Sequence, residues 1–354
     1  MSAALPVTVV IPAYERAALL PRALASVAAQ TRRPAEVIVV DDGSADDSAA
    51  VAERLGARVI RHERNRGVSA ARNTALEAAR SEWVAFLDTD DEWLPHHLEG
   101  LWACREAHVA VAHTAVWVEG PGREHHAYGV AGRRRRMLRT PAPLAADNFI
   151  PLSASLVRRE AARRAGGFDT SLTHAEDLDF WIRVVEQGTV LVLPEIGAIY
   201  HLHPGQATKD AAATVRGHRE AIGRYRDRPW WPRGALAAVE VRAAWDSRRG
   251  GAAGPRLLGL LARPGRALLL AALLARRFAL RRAGARVDHR GRPVVALLPG
   301  APDHEDGAVY IVDLRDAPTP AWLASLVRRA PSVAVGTTRA QRLICRALGI
   351  NQLP

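Results

Sequence analysis

The chain has 354 residues, 48% hydrophobic and 24% charged, which excludes a largely disordered chain, a collagen-like repeat and a coiled coil. Cys104 and Cys345 are too far apart for a local metal motif and too few for a disulfide framework, so a reducing compartment is expected. The net charge of +12 points to an anionic partner, although Lys209 is the only lysine and the arginine bias equally fits a GC-rich coding sequence.

The first hundred residues alternate strand and helix signals. Val7 to Ile11 is a β-branched run closed by Pro12, and Leu20, Leu24 and Val27 share one face of a helix over 19–29. Val37 to Val40 is a second strand, ended by Asp41-Asp42-Gly43-Ser44, and a helix follows through Val51 and Leu55. Arg58 to Arg61 is a third strand, 68–79 a helix, and Trp83 to Leu87 a fourth strand ended by Asp88-Thr89-Asp90-Asp91. Strands that are apolar throughout and joined by helices predict an α/β fold, with a mostly parallel sheet covered on both faces. Ligands of such sheets bind beyond the carboxyl ends of the strands. The Pro12-Ala13-Tyr14, Asp41-Asp42 and Asp88-Thr89-Asp90 ends converge there.

Farther on, 109–118 reads as extended, 120–143 as a polar loop and 151–157 as a strand. A short helix over 178–186 follows Glu176-Asp177, and 190–193 and 198–202 are extended. Arg-rich helical sequence dominates 211–282, and strand and helix signals alternate again from 293 to 348. The expected domains are therefore 1–210, a helical region over 211–285, and a small α/β unit over 286–354.

If the chain stays extended past the fourth strand, Asp88 and Asp90 point to one side, where two carboxylates repel unless a cation lies between them. Oxygen ligands of this kind suit Mg²⁺ or Mn²⁺. The alternative is that these acids only end the strand and cap a helix. Asp42 can accept from a nucleobase or ribose, or can shape a turn, and Tyr14 can stack on a base or be an ordinary loop aromatic. Arg72 lies one turn inside a helix whose amino terminus favours phosphate, so it reads as a diphosphate ligand or as an exposed arginine. Glu176 and Asp177 open a helix, as a general base with its neighbour or as ordinary N-terminal acids. His201 and His203, two apart, share a side and can reach a metal or a departing phosphate, or are surface histidines. The Arg133 to Arg136 run lacks interleaved aromatics, which argues against nucleic acid.

Taken together, these residues resemble glycosyltransferase family 2. The resemblance rests on Val9-Val-Ile-Pro-Ala-Tyr-Glu15, 24–31, Val39-Val-Asp-Asp-Gly-Ser44, Asn65-Arg-Gly67 with Ala71-Arg-Asn73, Phe86-Leu-Asp-Thr-Asp-Asp-Glu-Trp93, Gly167-Phe-Asp169, Glu176-Asp177 and His203-Pro-Gly205, in that order. It implies a GT-A fold (Rossmann-like) and an inverting single displacement from a nucleotide-diphospho-sugar to a hydroxyl acceptor. By position, Pro12, Ala13, Tyr14, Glu15 and Asp42 would hold the nucleoside, and Arg72 would lie near the diphosphate. Asp88 would reach the ribose and, with Asp90, a Mn²⁺ or Mg²⁺ ion, with Asp91 as an alternative ligand and His203 assisting. Asp177 would be the base, with Glu176 shaping its surroundings. The other readings are a degenerate scaffold that binds sugar nucleotides without turnover, and a sugar nucleotidyltransferase. The latter lacks the expected Gly-rich loop after the first strand.

The longest apolar run, 267–275, is too short for a transmembrane helix, and the amino terminus lacks the features of a signal peptide. A cytoplasmic protein is expected. The 256–282 segment reads first as a helix pair packed on the core and second as a peripheral contact with the inner face of an anionic membrane.

Overall fold

The computed structural model describes residues 4–120, 126–129, 135–146, 148–203 and 211–231, together with Ala235 and Val239. The expected 286–354 unit and the 256–282 segment lie outside these residues.

The first half follows the expected alternation: β1 (Leu5–Ala13), α1 (Leu20–Ala28), β2 (Pro34–Asp41), α2 (Ser48–Arg54), β3 (Arg58–Arg61), α3 (Val68–Ala78) and β4 (Trp83–Phe86). Next come β5 (Glu92–Trp93), α4 (His97–Trp102) and β6 (Val109–Glu119). The stretch read as a loop over 120–143 contains two short strands, β7 (His126–Tyr128) and β8 (Arg136–Leu138), and the start of α5 (Ala142–Ala146). These strands pair with long neighbours, and tertiary pairing overrides their weak local signal. A 3₁₀ turn (Leu152–Ala154) leads into β9 (Ser155–Arg158), α6 (Arg159–Arg164), α7 (Glu176–Val185), β10 (Thr189–His201) and α8 (Ala211–Gly223). The two extended runs expected near 190 and 200 are one strand, β10, whose register against β6 shifts between Val192 and Ile196 and again before Ala198.

The sheet order is β3-β2-β1-β4-β9-β6-β10-β5. Strands β1 to β4, β6 and β10 run one way, and β9 and β5 run against them. Both faces are covered, which is why the strands are apolar at successive positions. Val10, Ile38, Val40, Val84 and Phe86 face α3 and α7, whereas Val9, Ile11, Val39 and Ala85 lie on the other face with α1 and α4. In α1, Leu20, Ala23, Leu24 and Val27 form the buried stripe that helical periodicity requires.

An aromatic cluster fixes α7 under the end of β4. Phe168 and Phe180 stack with centroids 4.0 Å apart, and Phe86 meets Phe168 edge-on at 5.4 Å. The segment that the sequence assigns to a separate helical region begins with α8, which packs on α7: Ile222 and Tyr225 join the same core, and the Tyr225 hydroxyl donates to Asp179 at 2.7 Å.

Candidate active site

The ends of β1, β2 and β4 meet in space as the topology requires, but the Asp88-Thr89-Asp90 stretch (the D-x-D) is not extended. Strand β4 ends at Phe86, and the Asp91 N–H donates to the Asp88 carbonyl at 3.1 Å, closing a tight turn. The three carboxylates therefore have different partners. Asp88 accepts from the Arg72 guanidinium at 2.9 Å, and Asp90 Oδ2 meets His203 Nε2 at 2.8 Å. Asp91 is buried: Oδ1 accepts the His201 backbone N–H at 3.3 Å, and Oδ2 has no hydrogen-bond partner. The turn is braced by the Ser153 hydroxyl, which accepts the Asp88 N–H at 3.2 Å, and by Arg22, which donates to the Asp90 carbonyl at 2.5 Å. Burial pushes the Asp88 carboxyl up, opposed by Arg72 and reinforced by Asp90. Burial raises Asp91 further, and Asp90 and Asp88 add to the effect. His201, beside this group, pairs through its ring with Glu92 at 3.1 Å.

Arg72 is not exposed. Its guanidinium is buried between Asp88 and Glu176, which accepts at 3.0 Å, and its face lies 5.3 Å from the Phe168 centroid. Arg72 thus ties the D-x-D turn to the start of α7. Its neighbour Asn73 donates to the Phe168 carbonyl at 2.8 Å and accepts the Phe168 N–H at 2.7 Å. Gly167 gives that amide room, because a Cβ there would fall 2.5 Å from Asn73 Oδ1. Asp169 completes this corner by pairing with Arg224, away from the carboxylate cluster, and its pKa is held down to about 2 by Ser171 and Arg224.

Asp177 occupies the first turn of α7. Its Oδ1 accepts the Leu178 N–H at 2.7 Å and its Oδ2 accepts from the Asn148 amide at 2.8 Å. Burial pushes its carboxyl up, against these hydrogen bonds and Arg72. A raised carboxylate with both oxygens oriented is suited to general-base chemistry. Sequence reading passed over Asn148, Ser153 and Arg22, whose partners lie 29, 65 and 68 residues away.

On the nucleoside side, Tyr14 is 41% exposed and available for stacking, and the loop from Pro12 to Glu15 is held by the Ser44 hydroxyl, which accepts the Glu15 N–H at 2.9 Å. Asp42 is buried behind this loop. Its carboxylate accepts the Arg66 N–H at 2.9 Å and the Gly67 N–H at 2.8 Å, and its Oδ1 lies 2.6 Å from His62 Nδ1. The turn-shaping alternative for Asp42 is thus present, and the His62 ring is fixed at its other end by Thr74 at 2.9 Å.

Among the described residues, no three His, Cys, Asp or Glu side chains gather as ligands of one ion. The donor set nevertheless suits a hard divalent cation. Asp88, Asp90 and Asp91 crowd negative charge around an unpartnered buried oxygen, and Mg²⁺ or Mn²⁺ bound by one or two carboxylates takes its other ligands from phosphate and water.

The sequence profile described as glycosyl transferase family 2 matches residues 8–166. The chain belongs to glycosyl transferase family 2. It is 31% identical over 256 residues to the uncharacterized protein MT1568 of Mycobacterium tuberculosis (strain CDC 1551 / Oshkosh), covering 67% of this chain and 79% of that one. It is 34% identical over 212 residues to the pre-mycofactocin glycosyltransferase of the same strain, covering 56% of this chain but only 43% of the relative. The glycosyltransferase fold is GT-A, as the sequence resemblance implies. Among solved structures, S. aureus TarS 1–349 in complex with UDP-GlcNAc matches at a TM-score of 0.55 and 19% identity, covering 78% of this chain and 82% of that one. The mannosyltransferase PcManGT of Pyrobaculum calidifontis, in complex with GDP-Man and Mn²⁺, matches at 0.53 and 19%, covering 79% and 81%. No helix of the glycosyltransferase is long and apolar enough to cross a membrane among the described residues.

Proposed function

We propose that this glycosyltransferase moves a sugar from a nucleoside-diphospho-sugar to a hydroxyl acceptor by single displacement, with inversion and with Asp177 as the base. The observation that carries the reading is the joining of two carboxylate groups by one buried cation: Arg72 links Asp88 of the D-x-D turn to Glu176, beside Asp177. That arrangement provides a donor side and a base side in one rigid frame. Asp177 takes the proton of the acceptor hydroxyl, the oxygen bonds to the anomeric carbon, and the bond to the diphosphate breaks. A positioned base contributes about 10²–10⁴-fold to such a step. Tyr14 and the Pro12 to Glu15 loop receive the nucleoside, and Asp88 reaches its ribose. Asp42 acts in this reading by setting the loop that leads into α3.

Asp90, with Asp88 or Asp91, would hold a divalent cation, and His203 orients Asp90. When bound, Mn²⁺ or Mg²⁺ offsets the charge of the leaving diphosphate. The Mn²⁺ and nucleotide sugars present in the two structural neighbours support this donor class.

The test is nucleoside diphosphate release from a panel of UDP-, GDP- and dTDP-sugars, with Mn²⁺, with Mg²⁺ and with chelator. The expected result is metal-dependent release from one donor, lost in Asp90→Ala. No release and no metal-dependent binding of any donor would replace this reading with that of a degenerate scaffold.

A further inference from the structure

Asn148 follows α5 in a segment that nothing in the motif pattern marks. It is 8% exposed, and its side-chain N–H donates to Asp177 Oδ2 at 2.8 Å. The other side-chain atom, Oδ1, is equally buried and has no hydrogen-bond partner. A buried acceptor left unsatisfied is uncommon in a native protein and is costly to keep. The segment around it is clamped in place. The Tyr128 hydroxyl of β7 donates to the Asn148 carbonyl. Phe149 packs against the His113 ring with centroids 5.8 Å apart. Gly129 approaches so closely that a Cβ would fall 2.6 Å from Pro151 Cγ and 3.1 Å from the Phe149 carbonyl oxygen.

We propose that Asn148 is a positioning residue that serves Asp177 in both of its protonation states. The inference rests on the reading of Asp177 as the base. While Asp177 is a carboxylate, it needs a donor, and the Asn148 amide supplies one. Once Asp177 has taken the acceptor proton, its new O–H needs an acceptor, and Asn148 Oδ1 is free. A half-turn of the amide about its last side-chain bond exchanges the two. With the Leu178 N–H fixed on Oδ1 of Asp177, the amide leaves the base one defined direction in which to face the acceptor hydroxyl.

The surrounding charges leave this contact as the adjustable one. Arg72 of α3 and Asp88 after β4 act on Asp177 with opposite signs. On α7, Glu176 is paired with Arg72, and Asp179 with Arg183 and Tyr225. Arg224, which follows α8, is paired with Asp169 and lies 3.9 Å from Asp179, and Arg164 of α6 is paired with Glu160. His113 of β6 is held neutral by burial, its pKa pushed down to about 4.

The test compares full-length wild type, Asn148→Leu, Asn148→Asp, Tyr128→Phe and Asp177→Asn in donor turnover from pH 5 to 9, with melting temperatures recorded alongside. Asn148→Leu is expected to lower kcat about tenfold to a hundredfold with the donor KM unchanged. It should also move the acidic limb of the kcat profile to higher pH, because the carboxylate loses the bond that favours its charge. Asn148→Asp should move that limb farther, and Tyr128→Phe should move it in the same direction by less. If Asn148→Leu does not fold, the Asn148→Asp and Tyr128→Phe limbs decide. A fall in kcat with an unmoved limb, or activity within twofold of wild type, would overturn the role of Asn148. Full activity in Asp177→Asn would instead overturn the base reading on which it rests.

Discussion

Arg72 shows how a residue read from its motif gains partners in three dimensions that the motif does not announce. Its position at the start of α3 suggested a diphosphate ligand or an exposed arginine; the side chain is buried, and its guanidinium pairs with Asp88 and Glu176. Removing one partner of a buried ionic group leaves the others uncompensated, at a cost of about 3–5 kcal/mol. Arg72→Met is therefore expected to lower the unfolding free energy by about that amount, which urea denaturation measures. A loss below about 1 kcal/mol would show that the tie is a surface-type pair. The type of each acid was legible in the sequence, but its partner was not. Arg72 and Glu176 are 104 residues apart, and Asn148 and Asp177 are 29 apart, with no periodicity linking either pair.

The elements themselves were easier to read, because apolar runs and turn residues act locally. Strands β1, β2 and β4 and helices α1 and α3 lie close to where hydrophobic patterning puts them. The exceptions have physical causes. The condition that would put Asp88 and Asp90 on one side, an extended chain past β4, is not met because a backbone hydrogen bond closes a turn there. Strands β7 and β8 are three residues each and exist by pairing with β6 and β10. Two backbone positions yield predictions at this scale. Ala175, which precedes α7, has φ of +60°, a left-handed conformation costly for a residue with a Cβ. Ala175→Gly should raise stability by about 1 kcal/mol in thermal unfolding, and a decrease would mean the strain is relieved elsewhere. Gly43, at φ of +78°, has no space for a side chain, because a Cβ would fall 2.6 Å from the Arg64 carbonyl carbon. Gly43→Ala should destabilise the protein and loosen the loop that Asp42 holds, visible as faster amide exchange at Arg66 and Gly67.

At the scale of the whole molecule, opposing titrations shape stability. Burial holds His97 at a pKa of about 3 and His113 at about 4, both below the ordinary 6.5. The unfolded chain therefore binds more protons than the folded one as pH falls from about 6.5 toward 4, and the folded state loses stability over that window. Wild type should lose stability relative to a His97→Gln, His113→Gln double variant across this range, as parallel denaturation curves would show. Equal slopes would mean that the histidines are solvated in the folded state. Buried Asp88, Asp91 and Asp177 act the other way: their raised pKa values make the folded state bind more protons above pH 3.8, so they cost stability as pH rises. The sheet, with six strands running one way, sets the ends of β1, β2 and β4 side by side, where the sequence predicts that the Pro12–Tyr14, Asp41-Asp42 and Asp88–Asp90 segments converge; Asp177, on α7, was no part of that expectation. The measurement that tests the account most directly compares wild type with Asp177→Asn, reading nucleoside diphosphate release and donor affinity in the same preparation. An unchanged donor Kd is expected, with release lowered about 10²–10⁴-fold. Release at the wild-type rate from Asp177→Asn would contradict it.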